Sequence, residues 1–256
     1  MSETAIEWTD STWNPVAGCT IMSAGCTNCY AMQMARRLEA MGVDKYTGLT
    51  RQSGSRTIWN GKIIEDERAL DIPLRWKKPR KVFVNSMSDL FHSDVSPSFV
   101  SKVWDVMAQT PHHSYQILTK RPDRMAEFAA LDGFRTLPNV WLGTSVENAA
   151  VLHRIESLRE VSAAIRFISF EPLIGPVGDV DLSGIDWAIV GGESGPKARP
   201  ILEGWIDEVH DACRRSGTAF FFKQWGTWGK DNKRRSKKLN GRTYRGQVWN
   251  EMPAPI

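Results

Sequence analysis

The sequence is sparing with the residues that build disulfide scaffolds and closed metal cages: 256 residues hold 4 cysteines and 5 histidines. Three of the cysteines crowd into one segment and the fourth, Cys213, stands far off in a helical pattern. That distribution excludes a disulfide framework as the basis of stability in a chain of this size. No apolar run approaches the roughly 20 residues that span a bilayer. The opening MSETAIEWTD has neither a basic leader nor an apolar stretch behind it, so no membrane partner and a cytoplasmic location are expected. A dominant charge of one sign is missing too: the formal charge is +4, with 41% hydrophobic and 24% charged residues. This is the balance of a soluble globular chain with one sizeable core, read here as a monomer. What positive excess exists gathers in KDNKRRSKKLNGRTYRG, 230–246, a run able to hold an anionic partner.

What the chain does have is a repeated strand-and-helix rhythm. The runs KVFVN (81–85), SYQIL (114–118), NVWLG (139–143), IRFIS (165–169), DWAIV (186–190) and TAFFF (218–222) each read as a buried strand. Helical patterns separate most of them: PSFVSKVWDVMAQ, RPDRMAEFAAL, ENAAVLHRIESLRE and LEGWIDEVHDACRRSG, whereas PLIGPVGDVDLSG is turn chemistry. With a first strand at Trp13–Ala17 the count reaches about seven in βα order. The expected class is α/β, a full or partial parallel (β/α) barrel of about six to seven strands, with a doubly wound open sheet as the alternative. The barrel domain is expected over 1–229. It carries an insertion at 43–80 of mixed Gly, Ser, Arg, Lys and Trp, with one short helix around Glu65–Leu74, and 230–256 reads as a basic C-terminal tail.

Every strand runs directly into polar residues. The second leads into Asn85, Ser86, Ser88 and Asp89, the third into Thr119, Lys120 and Arg121, and the fourth into Ser145, Glu147 and Asn148. Ser169 and Glu171 follow the fifth, Gly191, Gly192, Glu193 and Ser194 the sixth, and Lys223, Gln224 and Trp225 the seventh. In a parallel barrel the C-terminal strand ends form one rim, so residues this far apart in sequence can surround one ligand. The plainer reading is that such loops are polar anyway and supply helix caps, as Ser145 or Asp123 could. Glu171 and Glu193 follow apolar strands and therefore need cations such as Lys120, Arg121, Arg199 or Lys223, which an ion-pair network would equally explain.

The stretch GCTIMSAGCTNCYA places Cys19, Cys26 and Cys29 after the first strand and ahead of a helix with Met32, Ala35, Leu38 and Met41 at helical spacing. Structural zinc takes four ligands, and only Cys26-Thr27-Asn28-Cys29 resembles a knuckle. His92, His112 or His113 could complete a zinc site; a disulfide or merely buried thiols are further readings. The remaining one is an iron–sulfur cubane with three thiolate-bound irons and one iron left open for a ligand. At a barrel mouth that arrangement suggests radical chemistry on S-adenosylmethionine.

From TDSTWNPVAGCTIMSAGCTNCYA through FVNSMSDLFH, LTKRP, GTSVEN, FEPLIGP and VGGESGPKARP to FFKQWG, the sequence resembles the phage-associated three-cysteine-motif proteins of the radical S-adenosylmethionine superfamily, distant relatives of spore photoproduct lyase. The resemblance implies that Cys19, Cys26 and Cys29 bind a [4Fe–4S] cluster and that S-adenosylmethionine chelates the open iron. It places Ser86, Met87, Ser88 and Asp89 near the methionyl amine and Ser145, Glu147 and Asn148 near ribose or carboxylate. Tyr30, Gly191 and Gly192 complete the cofactor-binding candidates, and Lys120, Glu171, Glu193 and Lys223 are the catalytic ones. The first cysteine gap is longer than the superfamily's, a change that a loop absorbs at modest entropic cost.

The implied activity is formation of a 5′-deoxyadenosyl radical that acts on a nucleic acid or nucleotide, in lyase-like DNA repair or modification, with an electron donor the sequence does not identify. The basic tail suits such a substrate, because Trp225, Trp228, Tyr244 and Trp249 alternate with cations that hold phosphate while rings stack on bases. Two alternatives stand beside it: a non-catalytic iron–sulfur or zinc protein that binds nucleic acid, and a zinc-dependent hydrolase with Asp89, Glu171 or Glu193 as base. Cys213 reads as a buried core thiol.

Overall fold

Short runs of β-branched and aromatic residues become strands because both faces of each run find apolar partners. In the computed structural model, which describes residue 4 and residues 6–253, seven of them form one sheet. They are β1 (Ser11–Trp13), β2 (Lys81–Val84), β3 (Ser114–Thr119), β4 (Val140–Ser145), β5 (Ile165–Phe170), β6 (Trp187–Gly191) and β7 (Ala219–Gln224). Every pairing is parallel, and the spatial order follows the chain order without reversal. A doubly wound sheet reverses at a switch point. Its absence from this sheet makes the fold a partial (β/α) barrel.

Side chains alternate across the sheet with the period of two that strands impose. Val82 and Val84 of β2, and Ala188 and Val190 of β6, join the core under the helices, while Phe83, Trp187 and Ile189 face the other way. That inner face is filled by Trp8, Phe83, Trp141, Phe167, Trp187 and Phe221. Trp8 meets Phe83 at 4.8 Å between ring centroids, and Trp141 stands edge-on to Trp187 at 5.9 Å, the tilted and edge geometries that aromatic quadrupoles favour. Aromatic packing thus occupies the interior, and polar groups are left to the C-terminal strand ends.

The outer layer holds α1 (Tyr30–Ala40), α2 (Pro97–Gln109), α3 (Pro122–Ala129), α4 (His153–Arg159) and α5 (Glu203–Ser216). Helix α2 starts where Ser96 accepts from the Phe99 amide with Pro97 behind it, and α5 stops at Gly217 with φ +69°. The buried stripe of α5 includes Ile206, Val209, Ala212 and Cys213, which makes Cys213 a core thiol as expected. β5 and β6 are joined without a helix, in line with the turn chemistry of that stretch. Among the described residues no helix is long and apolar enough to cross a membrane.

Several local expectations shift. The first sheet strand is Ser11–Trp13; Val16–Ala17 leaves the sheet and pairs antiparallel with Ile64–Glu65 of the insertion. The insertion also forms a hairpin, Thr50–Ser53 with Arg56–Trp59. In place of a helix over 65–74 there are two 3₁₀ turns, Glu67–Ala69 and Pro73–Arg75, because Pro73 lacks the amide that would continue the ladder. The stretch after β4 opens as a 3₁₀ turn, Ala149–Val151, before α4, and Met41 falls past the end of α1 at 76% exposure.

The basic 230–253 segment packs back on the sheet. Asn250 bridges Phe221, Tyr244 is buried, and Trp249 packs against His210 and Phe220. Trp225 is also buried, so Trp225, Tyr244 and Trp249 are packing groups rather than platforms for bases. Their rings join the apolar core, while Lys233, Arg234, Arg235, Lys237 and Lys238 of the segment are exposed.

Candidate functional site at the C-terminal mouth of the sheet

The loop between β1 and α1 lies over the polar strand ends, and three clamps hold it there. The first is Glu147, after β4 and 1% exposed, which accepts from the Ser23 hydroxyl and, at 3.1 Å, from the Gly25 amide. Arg154 of α4 meets the same carboxylate at 3.0 Å and Lys120 lies 3.7 Å away. A Cβ on Gly25 would stand 2.9 Å from that carboxylate, so only glycine lets the loop approach so closely. Burial alone would raise the pKa of Glu147; Lys120, Ser23, Arg154 and the Gly25 amide reverse that and hold it below the ordinary carboxylate value.

The second clamp is Asp89, after β2. It accepts from Thr119 at 2.7 Å and from Arg121 at 2.7 Å, and Arg121 reaches on to the Thr20 hydroxyl at 2.5 Å. His92 lies 3.0 Å from that hydroxyl, while its Nδ1 accepts from the Asp94 amide. The residue next to Cys19 is therefore tied to the ends of β2 and β3 together. The third clamp is Glu193, after β6, held by the Arg199 Nη2 at 2.7 Å and Nε at 3.0 Å. Asn28, between Cys26 and Cys29, donates to Glu193 at 3.0 Å and to the Lys197 carbonyl at 2.9 Å.

The three thiols so gathered are free and close enough to act on one another electrostatically. Burial, then the Asp89 charge, push the Cys19 thiol up to about 12, with Arg121 pulling the other way. Cys29 is raised as well, chiefly by burial, although the Ala31 and Met32 amides at the start of α1 and the Lys120 ammonium favour its thiolate. Neutral thiols of this kind become metal ligands by releasing their protons to solvent, which couples binding to pH. Among the described residues no three His, Cys, Asp or Glu side chains converge as they would around one ion. His112 and His113 precede β3, at the end of the sheet remote from the cysteines.

Residues 3–253 match a family described as a protein of unknown function, DUF5131. The chain belongs to this family. No curated protein matches it. Among solved structures, "Spore photoproduct lyase complexed with dinucleoside spore photoproduct" is similar at a TM-score of 0.36 and 10% identity, over 84% of this chain and 66% of that one. This DUF5131 chain therefore spans about two thirds of that lyase's length.

Within this DUF5131 protein the expected residues divide into groups. Lys223 ion-pairs with Glu171 at 2.8 Å, while Tyr30 donates to the Ser86 carbonyl at 2.6 Å. Desolvation by the protein around it, then the charges of Cys29 and Glu171, raise the Tyr30 hydroxyl above its usual value, although 56% of the residue is exposed. Gly191 backs directly on the Glu171 carboxylate, and Gly192 passes so near the Trp225 carbonyl that a side chain has no room. Ser88 donates to the Val16 carbonyl and Asn148 caps the turn after β4, accepting from the Ala150 amide at 3.0 Å. Ser145 is buried, its carbonyl taken by Arg154. Arg154, Asn28, Ser23 and Thr20 escaped sequence reading. The signal for Arg154 is a cation inside the buried stripe of α4, beside Ile155 and Leu158.

Proposed function

We propose that this protein is a radical S-adenosylmethionine enzyme whose Cys19, Cys26 and Cys29 hold a [4Fe–4S] cluster and whose substrate is a nucleic acid or nucleotide. The observation that carries the reading is the clamping of one three-thiol loop to the ends of β2, β3, β4 and β6. A cubane offers each thiolate a different iron, so its donors need not converge as those of a single ion do. Bound at this loop, the cluster and S-adenosylmethionine would supply reductive cleavage of the sulfonium and a 5′-deoxyadenosyl radical. Lys120 and Arg121 lower the electrostatic cost of thiolates at Cys29 and Cys19. Glu171 and Lys223 present a paired carboxylate and ammonium beside Tyr30, suited to orienting polar groups of a bound ligand. Ser86, Ser88, Asp89, Ser145, Glu147, Asn148, Gly191, Gly192 and Glu193 form the supporting rim.

Anaerobic reconstitution tests this directly. About four irons and four sulfides per chain are expected, with 5′-deoxyadenosine released from S-adenosylmethionine under a strong reductant. Cys26→Ala should lose both. Stoichiometric zinc without sulfide would overturn the reading in favour of a hydrolase. A full cluster that neither binds nor cleaves S-adenosylmethionine would favour a non-catalytic nucleic-acid-binding protein.

A further inference from the structure

A number of surface cations of this chain meet carboxylates, among them Lys102 on Glu67, Arg215 on Asp179 and Arg245 on Asp207. Beside the cysteine loop three that do not meet one lie together. Arg56, at the hairpin of the insertion, reaches only the Asn28 carbonyl oxygen at 3.3 Å. Lys197, after β6, reaches only the Ser55 hydroxyl at 3.1 Å. Arg234 donates to the Pro196 carbonyl and lies over the Trp228 ring, 5.4 Å from its centroid. All three side chains are exposed, and among the described residues none meets a carboxylate. Their neutral partners are adjacent: Ser55 precedes Arg56 and Pro196 precedes Lys197, so the three cations form one crest along the edge of the mouth. Asp231 and Glu193, the acids nearest Arg234 and Lys197 in sequence, are already paired with Arg235 and Arg199.

We propose that this crest of Arg56, Lys197 and Arg234 carries the phosphate backbone of a polynucleotide, so that the ligand is a strand extending beyond the mouth rather than a lone nucleotide. The assignment rests on the functional reading above for the nature of the ligand, and on geometry alone for its path. Cations without carboxylate partners pay no ion-pair penalty when they meet phosphate, and each one engaged releases condensed counterions. Arg234, 5.4 Å from the Trp228 ring centroid, sets a guanidinium beside an indole, groups on which a base can stack and for which an acidic protein has no matching group. Trp225 and Tyr244 are buried and Trp249 packs on His210 and Phe220, so these rings take no part in the crest.

Fluorescence anisotropy of labelled single-stranded and duplex DNA and RNA oligonucleotides, titrated with the full chain over a range of salt, tests the crest. Binding should weaken as salt rises, and Arg56→Gln, Lys197→Gln and Arg234→Gln should each weaken it several-fold and lower the salt slope by about one. Lys78→Gln, on the surface ahead of β2, should change neither. Arg234→Lys keeps the charge; it should keep the salt slope and lose the preference for oligonucleotide over polyglutamate. Equal binding of polyglutamate by the wild-type chain would assign the crest to an acidic protein instead and overturn the proposal, as would crest variants that bind like wild type. Cys26→Ala should retain oligonucleotide binding while losing 5′-deoxyadenosine formation, so the crest and the radical chemistry fail or stand separately.

Discussion

At the scale of single residues, the polar groups that matter most are those with no freedom left. Glu147 is enclosed by four donors from three parts of the chain, and its charge is stabilised only by that enclosure. Glu147→Gln removes the countercharge of a buried guanidinium while keeping the shape, and such broken buried pairs cost about 3–5 kcal/mol. The expected result is a lower urea midpoint at pH 7 for Glu147→Gln. The pH dependence follows from the depressed pKa: the contribution is complete above the unfolded value near ~4.3 and is lost as pH falls through the folded value. Wild-type stability should therefore drop more steeply than that of Glu147→Gln across the acid range in the same urea titrations. Glutamates at strand ends were legible in sequence as groups needing cations, and Glu171 and Glu193 did find Lys223 and Arg199. Asn148 holds its place after β4 and there caps the turn, accepting from the Ala150 amide.

Elements are held by these residues more than by hydrophobic contact where the cysteine loop is concerned. The loop has one short 3₁₀ turn, Ala24–Cys26, and its registration comes from strands that lie far along the chain. Asp89→Asn weakens the hold on Arg121 and, through it, on Thr20. Hydrogen exchange should then speed up at the Cys26, Thr27 and Cys29 amides, whose acceptors lie within the loop, while β3 and β4 amides keep their protection. Equal acceleration across the sheet would instead mean that Asp89 supports the whole fold. Strand positions were readable because buried parallel strands leave apolar runs of the right length. The insertion was not, because its hairpin strands are only four residues each, and the pairing of Ile64–Glu65 with Val16–Ala17 depends on a partner remote in sequence.

For the molecule as a whole, the cysteine loop and Trp8 lie at opposite ends of the partial barrel. Trp8 precedes β1 and closes the aromatic interior from the end remote from the cysteines, packed on Phe83 and Trp187. Trp8→Ala should cost about 3–5 kcal/mol, as large aromatic deletions in cores do, seen as a fall in Tm. Iron and sulfide content after reconstitution of the folded variant should equal that of wild type. A lost cluster with an unchanged Tm would show that the interior and the cysteine loop are coupled.

The amino-acid sequence by itself determined the βα rhythm, the buried faces of strands and helices, and the presence of polar groups at every strand end. Those features are written in local periodicity, and local periodicity is set by backbone geometry over a few residues. Only the tertiary structure decided which polar groups touch. Ser23 meets Glu147 across 124 residues, Lys197 meets Ser55 across 142, and Asn28 meets Glu193 across 165. A parallel barrel brings such residues together by stacking strand ends in space, and no window of sequence carries that distance. The same closure turned the rings of the basic C-terminal segment inward and left three unpaired cations beside the cysteines.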